Sequence, residues 1–435
     1  MAQQFWIETL GCPKNQVDSD KLLGSLLADG LEPAGRVEDA DVVVVNTCAF
    51  VEEARQESID TILDLQEARP EAELVVTGCL AERYGDDLAD AMPEIDRVAG
   101  FGVPVTLGPT RVGRGTNGGV GAADQAPSFD LLELPRPASA APWAYVKIAE
   151  GCDRRCGFCA IPQFRGPQRS RTIESIVAEV EALEVQEIVL VAQDLAAFGR
   201  DQGQGTRRIV PLIDQVAQLV PWVRLLYLYP SDLGDDLIDA VCRTGVPYFD
   251  LSLQHVSRPH LRRMRRWGEG SVFLERIETI RAREPGAAFR SNFIVGYPGE
   301  TEDDHDQLMS FVEQARLDWC GFFAYSEEEG TYGADLDGTV PQALMSERLA
   351  ELRETQDRIT AESRDAMIGS ERLVLVDEPG IARSAGEAPE IDGIIQVPVD
   401  LPTGRFAIAT IDGAEGPDLS ASVAELVEDP KAELV

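Results

Sequence analysis

Cys152, Cys156 and Cys159 close the run Gly-Cys-Asp-Arg-Arg-Cys-Gly-Phe-Cys, a C-x3-C-x2-C spacing with Phe158 just before the last thiol. Three thiolates this close together can each hold one corner of an iron–sulfur cluster. Such clusters normally take four cysteines, so a three-cysteine loop leaves one iron open to a cofactor or substrate. A zinc site usually pairs two C-x2-C knuckles or adds histidine. No fourth Cys or His lies near this loop, so a zinc knuckle is the weaker reading. Phe158 is placed to pack beside a bound adenine.

Cys12, Cys48 and Cys79 are dispersed, with gaps of 36 and 31 residues, each about one βαβ crossover long. Each ends an apolar β-branched segment, in TLGC, VNTC and VTGC. At the carboxyl edge of a parallel sheet such strand ends lie side by side, so these thiols are expected to converge on a second three-cysteine cluster. The alternative is three buried strand-end cysteines. Cys242 and Cys320 sit in apolar surroundings and read as core. His255, His260 and His305 are the only histidines, and none is assigned to a metal.

The elements that must position these groups follow from periodicity. In residues 1–105, FWIETL, DVVVVNT and ELVVTG read as strands and alternate with helical stretches at Asp18–Leu27 and Glu52–Leu65, an α/β domain with a parallel sheet. Residues 106–141 are a Gly- and Pro-rich linker, with a short hairpin expected at FDLLEL. Residues 142–367 carry six strand candidates, AYVKIAEG, EIVLVAQD, VRLLYLYP, YFDLSLQH, AFRSNFIVGYP and WCGFFAYS, with intervening helices such as Ser175–Leu183 and Val272–Ala282, and end in one long polar helix over 341–367. That pattern predicts a partial (β/α) barrel, which would deliver the 152–159 loop to its catalytic face. Residues 368–435 predict a small antiparallel β-barrel, with strands at RLVLVDE, GIIQVPV, FAIATI and SASVAELV.

Gln193, Asp194 and Gln254 end barrel strands, and Arg290 and Asn292 lie on the strand before Gly296-Tyr-Pro-Gly-Glu300. Their polar groups are placed to contact a bound cofactor, and the Gly-rich turn would permit close backbone approach.

The chain has 435 residues and a net charge of −37, with only four lysines: Lys14, Lys21, Lys147 and Lys431. Such an excess repels nucleic-acid phosphates unless basic groups cluster. From Met367 onward four basic residues face fourteen acidic ones, which suits a basic partner, although adaptation to salt would produce the same bias. The run Arg262, Arg263, Arg265, Arg266 is the local exception, a solvated helix face or a contact for RNA or for an acidic neighbouring domain. No apolar run approaches membrane-spanning length and the start lacks a signal-peptide pattern, so a cytoplasmic monomer is expected.

The C-x3-C-x-F-C loop resembles the radical S-adenosylmethionine (SAM) superfamily motif, and together with the dispersed triplet the chain resembles the radical SAM methylthiotransferases along essentially its whole length. The resemblance implies an N-terminal methylthiotransferase domain, a radical SAM barrel and a C-terminal TRAM-type barrel. It implies two 4Fe–4S clusters, held by Cys152, Cys156 and Cys159 and by Cys12, Cys48 and Cys79, with SAM bound at the first. Reductive cleavage of SAM there would give a 5′-deoxyadenosyl radical that abstracts hydrogen from the substrate, the second cluster would deliver sulfur, and a second SAM would supply the methyl group. Gln193, Asp194, Gln254, Arg290 and Asn292 correspond to positions lining SAM. An electron donor and a sulfur source are implied as partners. TLGCPKNQVDSD, FDLSLQHVSRPHLRRMRRWG and RSAGEAPEIDG are similar to the class that modifies the β-carbon of an aspartate in the twelfth protein of the small ribosomal subunit, with nucleic acid involved only through the ribosome. The alternatives are the class that thiomethylates adenosine in tRNA and, from another class altogether, a non-catalytic iron–sulfur carrier or sensor.

Overall fold

The computed structural model describes residues 2–105, 130–203 and 205–431. The N-terminal sheet contains β1 (Gln4–Thr9), β2 (Glu32–Pro33), β3 (Val42–Thr47), β4 (Glu73–Gly78) and β5 (Arg97–Ala99), all parallel in the order β2-β1-β3-β4-β5. β3 is buried along its whole length, as expected of a central parallel strand covered on both faces. Helices α1 (Pro13–Ala28), α2 (Glu52–Ala68) and α3 (Cys79–Ala91) follow β1, β3 and β4. Pro13 opens α1 at a position where its missing N–H costs nothing. The two edge strands, two and three residues long, are too short to show a period.

The central region holds six parallel strands in two ladders: β6 (Trp143–Lys147), β9 (Glu187–Val191) and β10 (Trp222–Leu225), then β11 (Tyr248–Gln254), β12 (Ala288–Val295) and β13 (Trp319–Ala324). A parallel bridge between Leu228 and Leu251 joins the ladders into an open partial barrel. Between β6 and β9 a two-residue antiparallel ladder pairs β7 (Ala149–Glu150) with β8 (Arg169–Ser170). Ile188, Leu190, Val223, Leu225, Phe249, Leu251, Phe289 and Phe293 pack outward with the helices in the main core, and the alternate residues face the barrel interior.

The C-terminal strands β14 (Glu371–Glu378), β15 (Ile381–Ser384), β16 (Ile395–Gln396), β17 (Phe406–Glu415) and β18 (Asp418–Val427) close a barrel. The expectation of a purely antiparallel barrel needs one correction, because β16 pairs with β18 in parallel. The segment GIIQVPV supplies only the two-residue β16, while β15, which patterning missed, does much of the closing. FDLLEL is not a hairpin within the described residues: Leu131–Glu133 form one 3-10 turn capped by the Asp130 carboxylate, which accepts from Leu132 N–H. Leu131 and Leu132 are both buried, and a two-stranded hairpin would have exposed one of them.

Residues 383–392 plug the barrel at the amino ends of its strands. Tyr145 Oη donates to the Pro389 carbonyl, Trp319 Nε1 to Gly386 and Arg224 Nη1 to Ala385, and Tyr248 Oη donates to Asp392 at 2.6 Å. Glu187, fully buried, pairs with Arg224 at 2.7 Å and Arg383 at 2.8 Å. Burial alone would raise the Glu187 carboxyl, but the two guanidiniums hold it below the ordinary glutamate range. Its stabilisation is therefore present at neutral pH and lost as the pH falls through that lowered value. Glu187→Gln leaves buried Arg224 without a carboxylate among the described residues, while Arg383 keeps Asp377. A loss of about 3–5 kcal/mol is expected, read as a lower denaturant midpoint.

Candidate two-centre active site

Since β1, β3 and β4 are neighbours in the sheet, Cys12, Cys48 and Cys79 meet at its carboxyl edge. Gly11 stands in the left-handed region at φ 93°, and a Cβ there would lie 2.7 Å from Cys48 Cβ and 2.9 Å from its Sγ. Asn15, in the first turn of α1, ties the strand ends together by donating to the Leu10 and Thr47 carbonyls, each at 2.9 Å. Its Oδ1 lies 3.7 Å from Cys79 Sγ. Ser58 accepts from Cys48 N–H and donates to the Cys48 carbonyl.

Burial and the neighbouring sulfurs of Cys79 and Cys12 push the Cys48 thiol up to about 12. Burial also raises Cys79, against the pull of Arg165. Cys12 goes the other way, because Lys14 and Arg165 outweigh its burial. All three cysteines are free. Three crowded thiols in a dry edge pocket resist joint ionisation, and a bound metal removes that resistance, so the donor set fits a three-thiolate cluster. Gly11→Ala is expected to strip metal from this triplet and to cost about 1–2 kcal/mol of backbone strain. Gly30→Ala, at φ 87° with nothing within 4 Å of the added carbon, is the control: it carries the strain and keeps the metal. Iron per chain separates the two.

The second triplet lies in the loop that the β7–β8 ladder closes at its base. Gly151 has φ 78°, and a Cβ there would fall 2.1 Å from the Pro167 carbonyl. Cys152 N–H donates to Gly166, Cys159 N–H to Cys156, and Gly157 N–H to Met264. Burial pushes Cys152 and Cys159 up to about 12. Arg266 Nη1 lies 3.4 Å from Cys156 Sγ. Arg266 and Arg154 stack on Tyr229 with guanidinium carbons 3.9 and 3.8 Å from the ring centroid.

The Arg262–Arg266 run is a solvated face only in part, at the exposed Arg262 and Arg265. Arg266 is buried against the cysteine loop, Arg263 donates to Pro298 and Asp337, and Arg265 lies 3.7 Å over Tyr332. Arg262 alone stays exposed and unengaged among the described residues.

Gln193 Nε2 donates to Glu150, and Asp194 pairs with Arg154 at 2.5 Å. Gln193 Oε1, Asp194 Oδ1 and Asn292 Oδ1 are buried with no partner. These three acceptors, two just past the carboxyl end of β9 and one in the middle of β12, suit the ammonium and hydroxyl groups of SAM. Gln254 ends β11 at φ 72°. Arg290 lies deeper, paired with Asp250 and Asp392, each at 3.5 Å. Phe158 packs against the main core, half-buried. The turn at Gly296 does permit close approach, but to Met345, whose Sδ would be 2.0 Å from an added Cβ.

Cys242 and Cys320 flank the main core and are only partly buried. His255, His260 and Glu300 are buried, with ligand-type atoms within 4.8 Å of one another. Ser257 N–H donates to His255 Nδ1, which leaves Nε2 carrying the proton in the neutral ring. Glu300 is held by Arg348 at 2.9 Å.

The link between the triplets was not legible beforehand. Arg165, from the end of the cysteine loop, places Nη2 3.1 Å from Cys79 Sγ and 2.9 Å from Asn15 Oδ1, and Nη1 2.8 Å from Glu150. Glu150 also accepts from Gln193 and Lys147, and Lys147 pairs with Asp18 of α1. A continuous buried network thus runs from the dispersed cysteines to the barrel mouth.

Fold and site together are those of a partial (β/α) barrel with a three-cysteine loop and a parallel α/β domain whose three cysteines meet at its edge. Three family models match in order: "uncharacterized protein family UPF0004" over residues 4–100, the radical SAM superfamily over 146–312, and the TRAM domain over 368–424. "Ribosomal protein uS12 methylthiotransferase RimO" of Moorella thermoacetica is 43% identical, covering 93% of this chain and 94% of its own. The protein of the same name from Myxococcus xanthus is 40% identical over 99% and 93%. Among solved structures, the radical SAM methyltransferase TsrM from Kitasatospora setae, with cobalamin and a 4Fe–4S cluster bound, aligns with TM-score 0.51 at 13% identity, covering 88% of this chain and 80% of that one; this likeness concerns the fold alone. The chain belongs to the RimO family of radical SAM methylthiotransferases. An iron–sulfur cluster and SAM come with that membership. No helix among the described residues is long and apolar enough to cross a membrane.

Proposed function

We infer that this enzyme places a methylthio group on the β-carbon of an aspartate in ribosomal protein uS12, acting in the cytoplasm as a monomer with a reducing partner and a sulfur source. The observation that carries this reading is Arg165, which joins Cys79 to Glu150 at the base of the cysteine loop and so supports treating the two triplets as one site. Cys152, Cys156 and Cys159 would hold one 4Fe–4S cluster, and Cys12, Cys48 and Cys79 the other. When bound, these groups and SAM supply radical generation and sulfur delivery. The chain's own residues do the rest. Arg266 and Arg154 offset thiolate charge at the loop, Gln193, Asp194 and Asn292 offer acceptors for SAM, and the 383–392 plug keeps water out of the barrel from below.

The protein target is supported by the relatives' names and by charge. Arg383, one of four basic residues in the C-terminal module, is buried, as are the carboxylates of Glu387 and Asp392, and the module's exposed face stays strongly acidic. Such a face repels RNA phosphates and attracts a basic ribosomal protein. Reconstituted enzyme offered uS12 and tRNA separately tests this: methylthiolation of uS12 supports the reading, and modification of tRNA alone overturns it.

A further inference from the structure

Three of the four lysines lie where the N-terminal sheet meets the rest of the molecule. Lys21 pairs with Glu179, and Lys147 pairs with Asp18 and Glu150. Lys14 is nine-tenths buried in the first turn of α1, and its ammonium has no hydrogen bond and no ion pair among the described residues. Its ammonium sits 3.4 Å from the centroid of the Tyr227 ring. A chain with 76 carboxylates leaves this buried cation without one, although an unpaired buried charge is costly and a cation–π contact offsets only part of that cost.

Tyr227 is unusual at the same spot. It stands at φ 67°, a left-handed conformation that non-glycine residues rarely adopt. Its N–H is fixed by Asp250 Oδ2 at 2.9 Å. It follows β10 at the carboxyl side of the barrel, the face on which such folds do chemistry. A cation on an aromatic platform, two residues from Cys12 and beside a residue at the carboxyl side of the barrel, has the character of an anion receptor.

We propose that Lys14, seated on Tyr227, receives the carboxylate of the substrate aspartate and so fixes its β-carbon between the two cysteine centres. This assignment rests on the uS12 reading above. The carboxyl group is one bond from the reacting carbon, so gripping it positions that carbon directly, and a neutral amide in its place gains little from the ammonium.

The test is a double-mutant cycle on the reconstituted enzyme, with uS12 carrying either Asp or Asn at the target position. Binding is read by fluorescence anisotropy of labelled uS12 and turnover by mass spectrometry. Lys14→Met is expected to weaken binding of the Asp protein, and raise its KM, by roughly ten- to a hundred-fold, the range of a charged hydrogen bond. In that variant the preference for Asp over Asn should disappear, while Lys14→Arg should restore part of it. Iron per chain should match wild type. Full Asp preference in Lys14→Met overturns the assignment. So does loss of iron from that variant, which would make Lys14 a support for Cys12. Wild-type enzyme that neither binds nor modifies uS12 is a different failure, of the underlying function, and is seen without any variant.

Discussion

Cys152→Ala, Cys156→Ala and Cys159→Ala each abolish SAM cleavage, with no 5′-deoxyadenosine formed on reduction, while the N-terminal triplet keeps its iron. The loop supplies only three thiolates, and the nearby carboxylates are engaged, Asp194 with Arg154 and Asp153 with the Gln168 N–H. The fold should survive, because the loop is pinned by backbone bonds, Cys152 to Gly166 and Gly157 to Met264, and by the β7–β8 ladder. Iron analysis with chromatography of the nucleoside product checks both halves. Residual SAM cleavage in any of the three variants would remove the loop from its assigned role.

The mirror experiment has a different signature. Cys48→Ala, Cys12→Ala or Cys79→Ala abolishes the methylthio product while 5′-deoxyadenosine still forms. SAM would bind at the barrel, on Gln193, Asp194 and Asn292, none of which touches the N-terminal thiols directly. The coupling runs through Arg165, which in a Cys79→Ala variant still has Glu150 and Asn15 as partners. Cleavage should therefore persist in an uncoupled form. If these variants lose SAM cleavage together with product, the two triplets are not separable centres.

How much of this was legible depends on the range of the interaction. That Cys12, Cys48 and Cys79 come together could be read from sequence, because each follows a recognisable strand. The parallel sheet could be read from VVVV in β3 and the barrel from six repeats of strand and helix. What could not be read is the wiring. Arg165 reaches Cys79 across 86 positions and Asn15 across 150, and nothing local distinguishes it from Arg169 or Arg171 nearby. Arg266 was visible only as one of four arginines in a run, because a helix terminus that folds back onto another loop leaves no period. The segment 383–393 was noticed for its similarity to relatives, and its physical role, plugging the barrel, depends on Tyr145, Trp319 and Arg224 far away in sequence. Short elements failed for a simpler reason: β2, β5 and β16 owe their existence to neighbours rather than to propensity.

The measurement that bears most directly on the two-centre account follows one hydrogen. Reconstituted enzyme is given reductant, sulfide, SAM and uS12 deuterated at the β-carbon of its target aspartate. The account predicts deuterium in the 5′-deoxyadenosine and a methylthio group on that same carbon. Methylthiolated uS12 accompanied by deuterium-free 5′-deoxyadenosine, or deuterium transfer without any sulfur on the protein in the wild-type enzyme, would contradict it.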